Sequence, residues 1–369
     1  MTENLPTVGI DCRFVTTQSG IGRYTRELVT HLLLRDDPWR YVFFVNDVDR
    51  ARHTVPLQTD RATYYSLLTT HYSLSEQIKF PKAIKKSNID LLHIPHFNVP
   101  LRCPVPFITT IHDLILHHYP NQTSLLKRVA YRKLMKHAVK KSSHIISVSN
   151  FTADDIAKTY GGDVRNKITV TYEGVSPQFH QVTKSEIDKV CLKYSLPTSK
   201  RVNELTSKQS GGFILYVGTA KEHKNVQILI NAVSDDPLVL VTSGKEVSGL
   251  KTKPNVTIVP QVDDEDLPAI YSSAKCFVTP SLYEGFGLPA LEAMACGCKV
   301  VASDRGSLPE ILGKDAIFTE PEVDAIRNGI EQTQDLKSKT QEGIKHASSF
   351  SWEKMAEQTA NTYKALLKV

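Results

Sequence analysis

The sequence predicts an α/β protein built from two doubly wound domains, each around a parallel sheet. Three observations carry this. Short β-branched runs alternate with longer helical patterns along the whole chain. The runs are almost continuously apolar, as strands covered on both faces are, rather than alternating apolar and polar. The chain has 369 residues, more than one core usually serves at about 150 residues per domain.

The strand candidates of the first half are TVGIDC, YVFFVN, IDLLHIP, FITTIHD, HIISVS and KITVTYEG. Those of the second are FILYVG, LVLVTSG, NVTIVP, KCFVTP, CKVVAS and AIFT. Helical stretches such as GRYTRELVTHLLLRD, LPAIYSSA and PALEAMAC lie between them. Six strand–helix units per half make one doubly wound domain each. The expected boundaries are 1–182 and 183–350, followed by a terminal helix over 351–369 that is free to pack back on the first domain. Residues 195–212 are polar, Gly/Ser/Lys-rich and without period, and read as a mobile loop or part of the linker. Two such domains in tandem would face each other across a cleft, with ligands beyond the carboxyl ends of the strands.

Composition narrows the class. Apolar content of 41% with 23% charged residues is ordinary for a globular protein and excludes collagen, coiled coil and extended disorder. No apolar run approaches the roughly 20 residues that span a bilayer. The N-terminus is polar and runs straight into a strand, so a secretory leader is not expected. Six scattered cysteines then read as reduced thiols in a cytoplasmic protein. The net charge of +6 is uneven: residues 1–182 hold 23 Lys and Arg against 15 Asp and Glu, and residues 183–369 hold 22 against 24. That excess suits an anionic partner, namely a membrane surface, a phosphorylated substrate or nucleic acid. Nucleic acid is disfavoured because no aromatic interleaving or nucleic-acid module accompanies the charge.

The strongest motif is SLYEGFGLPALEAMACG, residues 281–297. A strand ends near Pro280, a glycine loop follows, and a helix opens near Leu288 with Pro289 in its first turn, where the missing N–H costs nothing. Gly285 and Gly287 let backbone approach a ligand, and the free N–H groups of the helix start favour a phosphate. Glu284 and Glu292 stand eight apart, one on the loop and one in the helix. A carboxylate accepts hydrogen bonds from two vicinal hydroxyls at once, as on a ribose or hexose. The alternatives are a solvated loop and the acid–nucleophile pair of a glycosidase.

Glu284 and Glu292 reproduce the E-x7-E pattern, and here the chain resembles the retaining glycosyltransferases of family 4, which have the GT-B fold of two Rossmann-like domains. The resemblance extends over SGIGRY, IHDL, YVGTAKEHKN, DDEDLPAIYSSAKCFVTPSLYEGFGLPALEAMACG and ASDRGSLPEI. It is closest in look to bacterial mannosyltransferase-like members of surface polysaccharide synthesis. It implies transfer of a hexose, best matched by mannose from GDP-mannose, from a nucleotide sugar to a glycan or lipid-linked acceptor. Retention at the anomeric carbon, no metal and no cofactor are implied as well. The first domain would take the acceptor and the second the nucleotide sugar. Two other readings remain open: a nucleotide-sugar epimerase on the same architecture, and a non-catalytic nucleotide-sugar-binding protein.

The resemblance also implies roles. Glu292 matches the ribose ligand and Glu284 a contact to the donor sugar, while the backbone of Gly285, Phe286, Gly287 and Leu288 matches the segment touching sugar and diphosphate. In YVGTAKEHKN, Lys224 would neutralise charge on the leaving diphosphate. The chain departs from the family pattern at Thr219 and His223, where many relatives carry arginine; His223 helps only if protonated. Gly20 and Gly22 of SGIGRY are a tight turn taken alone, and in family context the loop facing the donor phosphates. His112 of IHDL becomes a donor-sugar contact near the reacting centre, and Asp113 fixes the loop or the imidazole, or lines the acceptor side. His96 and Asn98 are either ordinary loop residues or part of the acceptor pocket. Arg305 and Gly306 end another strand, and the segment Val259 to Val262 is placed to read the base. Asp47-Val48-Asp49 spells a metal-binding D-x-D but reads as a solvated turn far from these motifs, and Cys296-Gly297-Cys298 reads as a helix-end turn rather than a zinc site.

One further pattern concerns the basic excess. From Leu114 to Ala153 there is no Asp or Glu. Within this lies LLKRVAYRKLMKHAVKK, with Leu126, Ala130, Leu134 and Ala138 at every fourth position and Arg128, Arg132, Lys136 and Lys140 likewise. The expectation is an apolar stripe on the sheet and a basic stripe in solvent. The basic stripe is either a solvated face or a peripheral contact with anionic lipid at the inner face of a membrane.

Overall fold

The computed structural model describes residues 5–55, 60–69, 71–197, 212–335 and 339–369. The segment 195–212, read above as loop or linker, lies mostly outside them. The chain divides into two compact units, Met1–Gly174 with Trp352–Val369, and Val175–Ser351.

The first unit holds β1 (Thr7–Asp11), β2 (Arg40–Val45), β3 (Ala62–Ser66), β4 (Leu91–Ile94), β5 (Phe107–Ile111), β6 (His144–Ser147) and β7 (Ile168–Val170). They form one sheet in the order β3-β2-β1-β4-β5-β6-β7, and every pairing is parallel. All of its strands but β3 appear in the sequence reading. β3, ATYYS, sits at the edge with partly exposed residues, so it lacks the apolar run that marks a strand covered on both faces. The helix Gly20–Leu33 follows β1 and buries Tyr24, Leu28, Val29, Leu32 and Leu33, the recurrence expected of one helical face.

The terminal helix Trp352–Leu367 belongs to this first unit and packs on Gly20–Leu33. Trp352 meets Tyr24 edge-on at 6.3 Å, and the Tyr363 hydroxyl bonds His93 Nδ1 at 2.5 Å. The boundary on the other side falls at Gly174, not at 182. Val175 N–H donates to Phe350 O at 3.0 Å, and buried Phe179 packs against Tyr271, so residues 175–182 are tied to the second unit.

The second unit holds β8 (Ile214–Val217), β9 (Leu238–Val241), β10 (Val256–Val259), β11 (Cys276–Thr279), β12 (Val300–Ser303) and β13 (Ile317–Thr319). Their order is β10-β9-β8-β11-β12-β13, again all parallel. Its core joins Ile214, Tyr216, Leu229, Ile230, Leu238, Leu240, Val278 and Val301.

The basic helix forms over Leu125–Lys141, but its buried residues are Tyr131, Met135, Ala138 and Val139. Leu126 is 83% exposed, and Ala130 is exposed too. The expected apolar stripe fails for a geometric reason. A four-residue step overshoots one turn by about 40°, so residues twelve apart lie about 120° apart around the axis. The same drift spreads the basic residues, and Lys140 is engaged, donating to the Tyr160 carbonyl at 2.6 Å.

Candidate active site

In each sheet the strand order reverses once, between β1 and β4 and between β8 and β11. At such a point neighbouring loops diverge and leave a crevice beyond the carboxyl ends. Gly20 and Gly22 follow β1, His96 and Asn98 follow β4, Thr219 to Lys224 follow β8, and Glu284 to Leu288 follow β11.

In the second unit, β8 runs into Gly218 and Thr219, whose carbonyl accepts from Tyr216 Oη at 2.7 Å. A 3-10 turn, Glu222–Lys224, follows, and Asn225 in the left-handed region (φ 54°) precedes the helix Val226–Ala232. β11 leads into the glycine loop, Gly287 caps the helix Leu288–Ala295, and proline lies in its first turn. The two loops meet through Lys224, whose Nζ donates to Glu284 Oε1 at 2.6 Å. Ser281 Oγ donates to the same oxygen at 2.7 Å. The backbone of Glu284 is gripped as well: its carbonyl accepts from Ser307 N–H at 3.1 Å. Gly306 (φ 65°) lies so close that a Cβ there would stand 2.6 Å from Glu284 N and 2.8 Å from Glu284 O. Glycine at 306 is therefore required by the approach of two backbones and by its positive φ.

Glu292 sits inside the helix, 2% exposed, and its Oε2 accepts from the buried Tyr271 hydroxyl at 3.2 Å. The motif thus sets one carboxylate partly open in an ion pair and the other enclosed. Phe286 is buried against Phe350, so that residue has backbone rather than side chain to offer a ligand. His223 differs from expectation. It is buried, its carbonyl accepts from Leu282 N–H at 2.7 Å, and burial with the adjacent Lys224 charge lowers its pKa to about 4. It is a neutral packing residue at physiological pH rather than a second cation. Arg305 pairs with Asp304 and Glu320.

In the first unit, Ser19 Oγ accepts from Gly22 N–H at 3.1 Å and caps the helix Gly20–Leu33. A Cβ on Gly22 would fall 2.2 Å from Thr17 O, so the loop after β1 closes over this residue, whereas Gly20 has open space around it. His96 and Asn98 follow β4 and are both buried. Burial lowers the His96 pKa to about 3, leaving a neutral ring beside Phe14, Tyr72 and Phe97. Asn98 Nδ2 donates to both Glu76 oxygens, at 2.9 and 3.1 Å. Asp113 Oδ1 accepts from Ile115 N–H at 2.9 Å, the loop-fixing role expected of it. His112 directly follows β5, with Nδ1 at 3.1 Å from Glu173 Oε1 and Nε2 at 3.1 Å from the Pro95 carbonyl.

Sequence reasoning missed a buried ionic cluster beside His96. Arg13 Nη2 reaches Asp11 Oδ2 and Glu76 Oε1, both at 2.6 Å, Arg13 Nη1 donates to Thr69 Oγ1 at 3.0 Å, and the guanidinium lies 4.7 Å from the Phe80 ring centroid. Burial alone would raise the Asp11 carboxyl; the Arg13 charge and hydrogen bonds outweigh it and hold it below the usual range. A charged pair two residues apart at the end of a strand, Asp11 and Arg13, was the available signal. Glu173, at the end of the TYEG run, was the other.

Asp47 and Asp49 are apart from all of this. Asp47 Oδ1 accepts from Arg50 N–H at 3.0 Å and caps the helix Val48–Thr54. Gly297 (φ 75°) ends the helix Leu288–Ala295, and Cys296 and Cys298 are buried thiols whose pKa is raised by burial.

Residues 199–349 match the family profile "Glycosyl transferases group 1", and residues 18–179 match "Glycosyltransferase Family 4". The chain is 29% identical to O-antigen chain mannosyltransferase B of Escherichia coli, covering 94% of this chain and 96% of that one. It is 31% identical to an O-antigen chain mannosyltransferase of Salmonella typhimurium, covering 69% of each. Among solved structures, sucrose-phosphate synthase from Thermosynechococcus elongatus superposes with TM-score 0.75 at 20% identity over 99% of both chains. Anabaena HepE, solved in complex with UDP and glucose, gives 0.72 at 16% identity over 98% of this chain and all of that one. These two likenesses are likenesses of fold: two Rossmann-like parallel-sheet domains of the GT-B type.

Proposed function

The chain belongs to glycosyltransferase family 4 and is a glycosyltransferase; from that premise we propose that it transfers mannose from GDP-mannose to a glycan or lipid-linked acceptor in polysaccharide synthesis. The observation that carries the donor site is the Lys224–Glu284–Ser281 cluster beyond β8 and β11. Lys224 is set to meet the diphosphate, with the N-terminus of Leu288–Ala295 as the second source of positive potential. Glu284 faces sugar hydroxyls and Glu292 the ribose. With a lysine and a helix start to bear the charge, the reaction proceeds without metal. Mannose is supported by two relatives named for mannosyl transfer, one matched over 94% of this chain and the other over 69%.

The acceptor hydroxyl attacks the anomeric carbon from the face that the diphosphate leaves. The carbon–oxygen bond to the phosphate breaks, the hydroxyl proton passes to the leaving phosphate oxygen, and configuration is retained. The first unit takes the acceptor beside His96, Asn98 and Asp113, where aromatic rings and buried polar groups stand together. Lipid-linked acceptors suit the helix Leu125–Lys141. Its exposed first turn shows Leu125, Leu126 and Val129 beside Lys127, Arg128 and Arg132, a small apolar and basic surface of the kind that rests on anionic headgroups. No helix among the described residues is long and apolar enough to cross a membrane.

The test is a thermal-shift panel of nucleotide sugars on the full chain. A ligand at 100 times its Kd stabilises by about 2.7 kcal/mol. GDP-mannose should raise Tm in wild type and not in Glu292→Ala. A panel in which GDP-mannose is silent and another nucleotide sugar shifts Tm would overturn the donor assignment. Donor incubated with enzyme alone should not be converted to an isomer, which separates transfer from epimerisation.

A further inference from the structure

Neutral imidazole has one N–H and one lone pair, so it donates from one nitrogen and accepts at the other. The His112 ring does not have such an environment. Both of its nitrogens face acceptors, the Glu173 carboxylate at Nδ1 and the Pro95 carbonyl at Nε2, each at 3.1 Å. Only the ring that carries both protons satisfies both contacts. The side chains of His112 and Glu173 are 15% and 11% exposed, so water does little to replace either partner.

We propose that Glu173 is a positioning residue: with the Pro95 carbonyl it clamps His112 as a doubly protonated imidazolium, a fixed positive charge at the end of β5. This rests on the reading of His112 as a residue of the reaction site and adds a charge state and a residue to it.

The groups around the ring agree with the assignment. His93 on β4 and His96 beyond it are buried and neutral, each lowered to about 3, so neither competes as a cation. Tyr24, from the helix Gly20–Leu33, meets the ring edge-on at 4.7 Å and is neutral, its pKa raised by burial. Asp113 on the same strand end adds a second negative charge. Burial disfavours the cation, but the Glu173 hydrogen bond and charge, the Pro95 carbonyl and Asp113 outweigh it, and the His112 pKa lies above its ordinary value. One consequence follows for the chemistry. An imidazolium has no lone pair, so His112 cannot take the acceptor's proton; with both N–H groups given to Glu173 and Pro95, what it offers the reaction is its positive charge.

The experiment is a pH titration of the histidine side-chain nitrogens by NMR on full-length, ¹⁵N-histidine-labelled protein, with His112→Asn to assign the signal. The expected result is that both His112 nitrogens are protonated at pH 7 in wild type. Glu173→Gln should convert the ring to a single neutral tautomer, lowering its apparent pKa by at least one unit, and Glu173→Asp should restore most of the shift. A wild-type ring that is neutral at pH 7, or a titration unchanged by Glu173→Gln, overturns the proposal. The wild-type titration alone decides it should Glu173→Gln fail to fold. In parallel, the alkaline limb of kcat/KM should move to lower pH in Glu173→Gln, which loss of packing alone would not cause. If the ring responds as expected while that limb stays put, the clamp stands and the placement of His112 in the reaction falls.

Discussion

Replacing Gly306 with alanine tests how the Glu284 loop is held. The perturbation is one methyl group, and the structure says where it goes: 2.6 Å from Glu284 N and 2.8 Å from Glu284 O. Both neighbours are backbone, so no side-chain rotation relieves the contact. The loop must move by more than half an ångström to reach ordinary contact, and the Ser307 N–H to Glu284 O bond of 3.1 Å moves with it. Alanine at φ 65° adds about 1–2 kcal/mol of its own, and overpacking costs about 1–3 kcal/mol. The sum is about 2–5 kcal/mol of stability, read as a lower urea midpoint at unchanged m-value. Because Glu284 and its bond to Lys224 shift together, affinity for the nucleotide sugar should fall by more than the tenfold that about 1.4 kcal/mol represents. A variant with wild-type urea midpoint and wild-type donor affinity would refute the reasoning that Gly306 exists to admit the Glu284 backbone.

Three further outcomes are expected. Glu76→Ala removes one of the two carboxylates around the buried Arg13 and should cost about 3–5 kcal/mol in urea unfolding; a loss under 1 kcal/mol would mean that Asp11 alone satisfies the guanidinium. His93 and His96, buried and lowered to about 3, take up protons on unfolding at mildly acidic pH. Their stability contribution is therefore complete above about pH 6.5 and is lost as pH falls from there towards 3. Each should subtract about 2 kcal/mol between pH 7 and 5, and His93→Gln should show that much less loss over the same range; an equal loss in the variant contradicts the assignment. His112 has the opposite sign, its raised value contributing stability at low pH that disappears as pH rises through it. Finally, the full chain should sediment with phosphatidylglycerol liposomes at low salt and not with neutral ones. Changing Lys127, Arg128 and Arg132 to Glu should abolish this, and indifference to those changes leaves the helix as a solvated face.

The strands were legible because parallel strands buried on both faces read as unbroken apolar runs. β3 was not, since an edge strand with Thr63 exposed has no such run. The motif over residues 281–297 was legible in one stretch because Ser281, Glu284, Gly287 and Glu292 are local to one strand–loop–helix unit. The resemblance named Lys224 as a diphosphate ligand but not its ion pair with Glu284, and the close approach of Gly306 to Glu284 has no sequence signature beyond a glycine at a strand end. The first-unit cluster was the hardest. Arg13 and Glu76 are brought together by the crossover from β3 to β4, which sets the helix Glu76–Lys86 beside the end of β1, and Glu173 reaches His112 only because β7 and β5 end on the same side of the sheet. Periodicity misled once, in the helix Leu125–Lys141, where a four-residue spacing looks like a face over one turn and drifts off it over three. His223 shows the other limit: a histidine in a polar-looking helix start is buried by the neighbouring loop, through Leu282, which no local pattern reports.

The proposed reaction is retaining, metal-independent mannosyl transfer. The most direct measurement is turnover of GDP-mannose labelled with ¹³C at the anomeric carbon, with a mannose-ended acceptor, in excess EDTA, followed by NMR of the product's anomeric signal. An α-mannosyl product, the configuration of the donor, is expected at an undiminished rate with chelator present. A β-linked product, or turnover that stops with EDTA and returns only with added divalent metal, would contradict it.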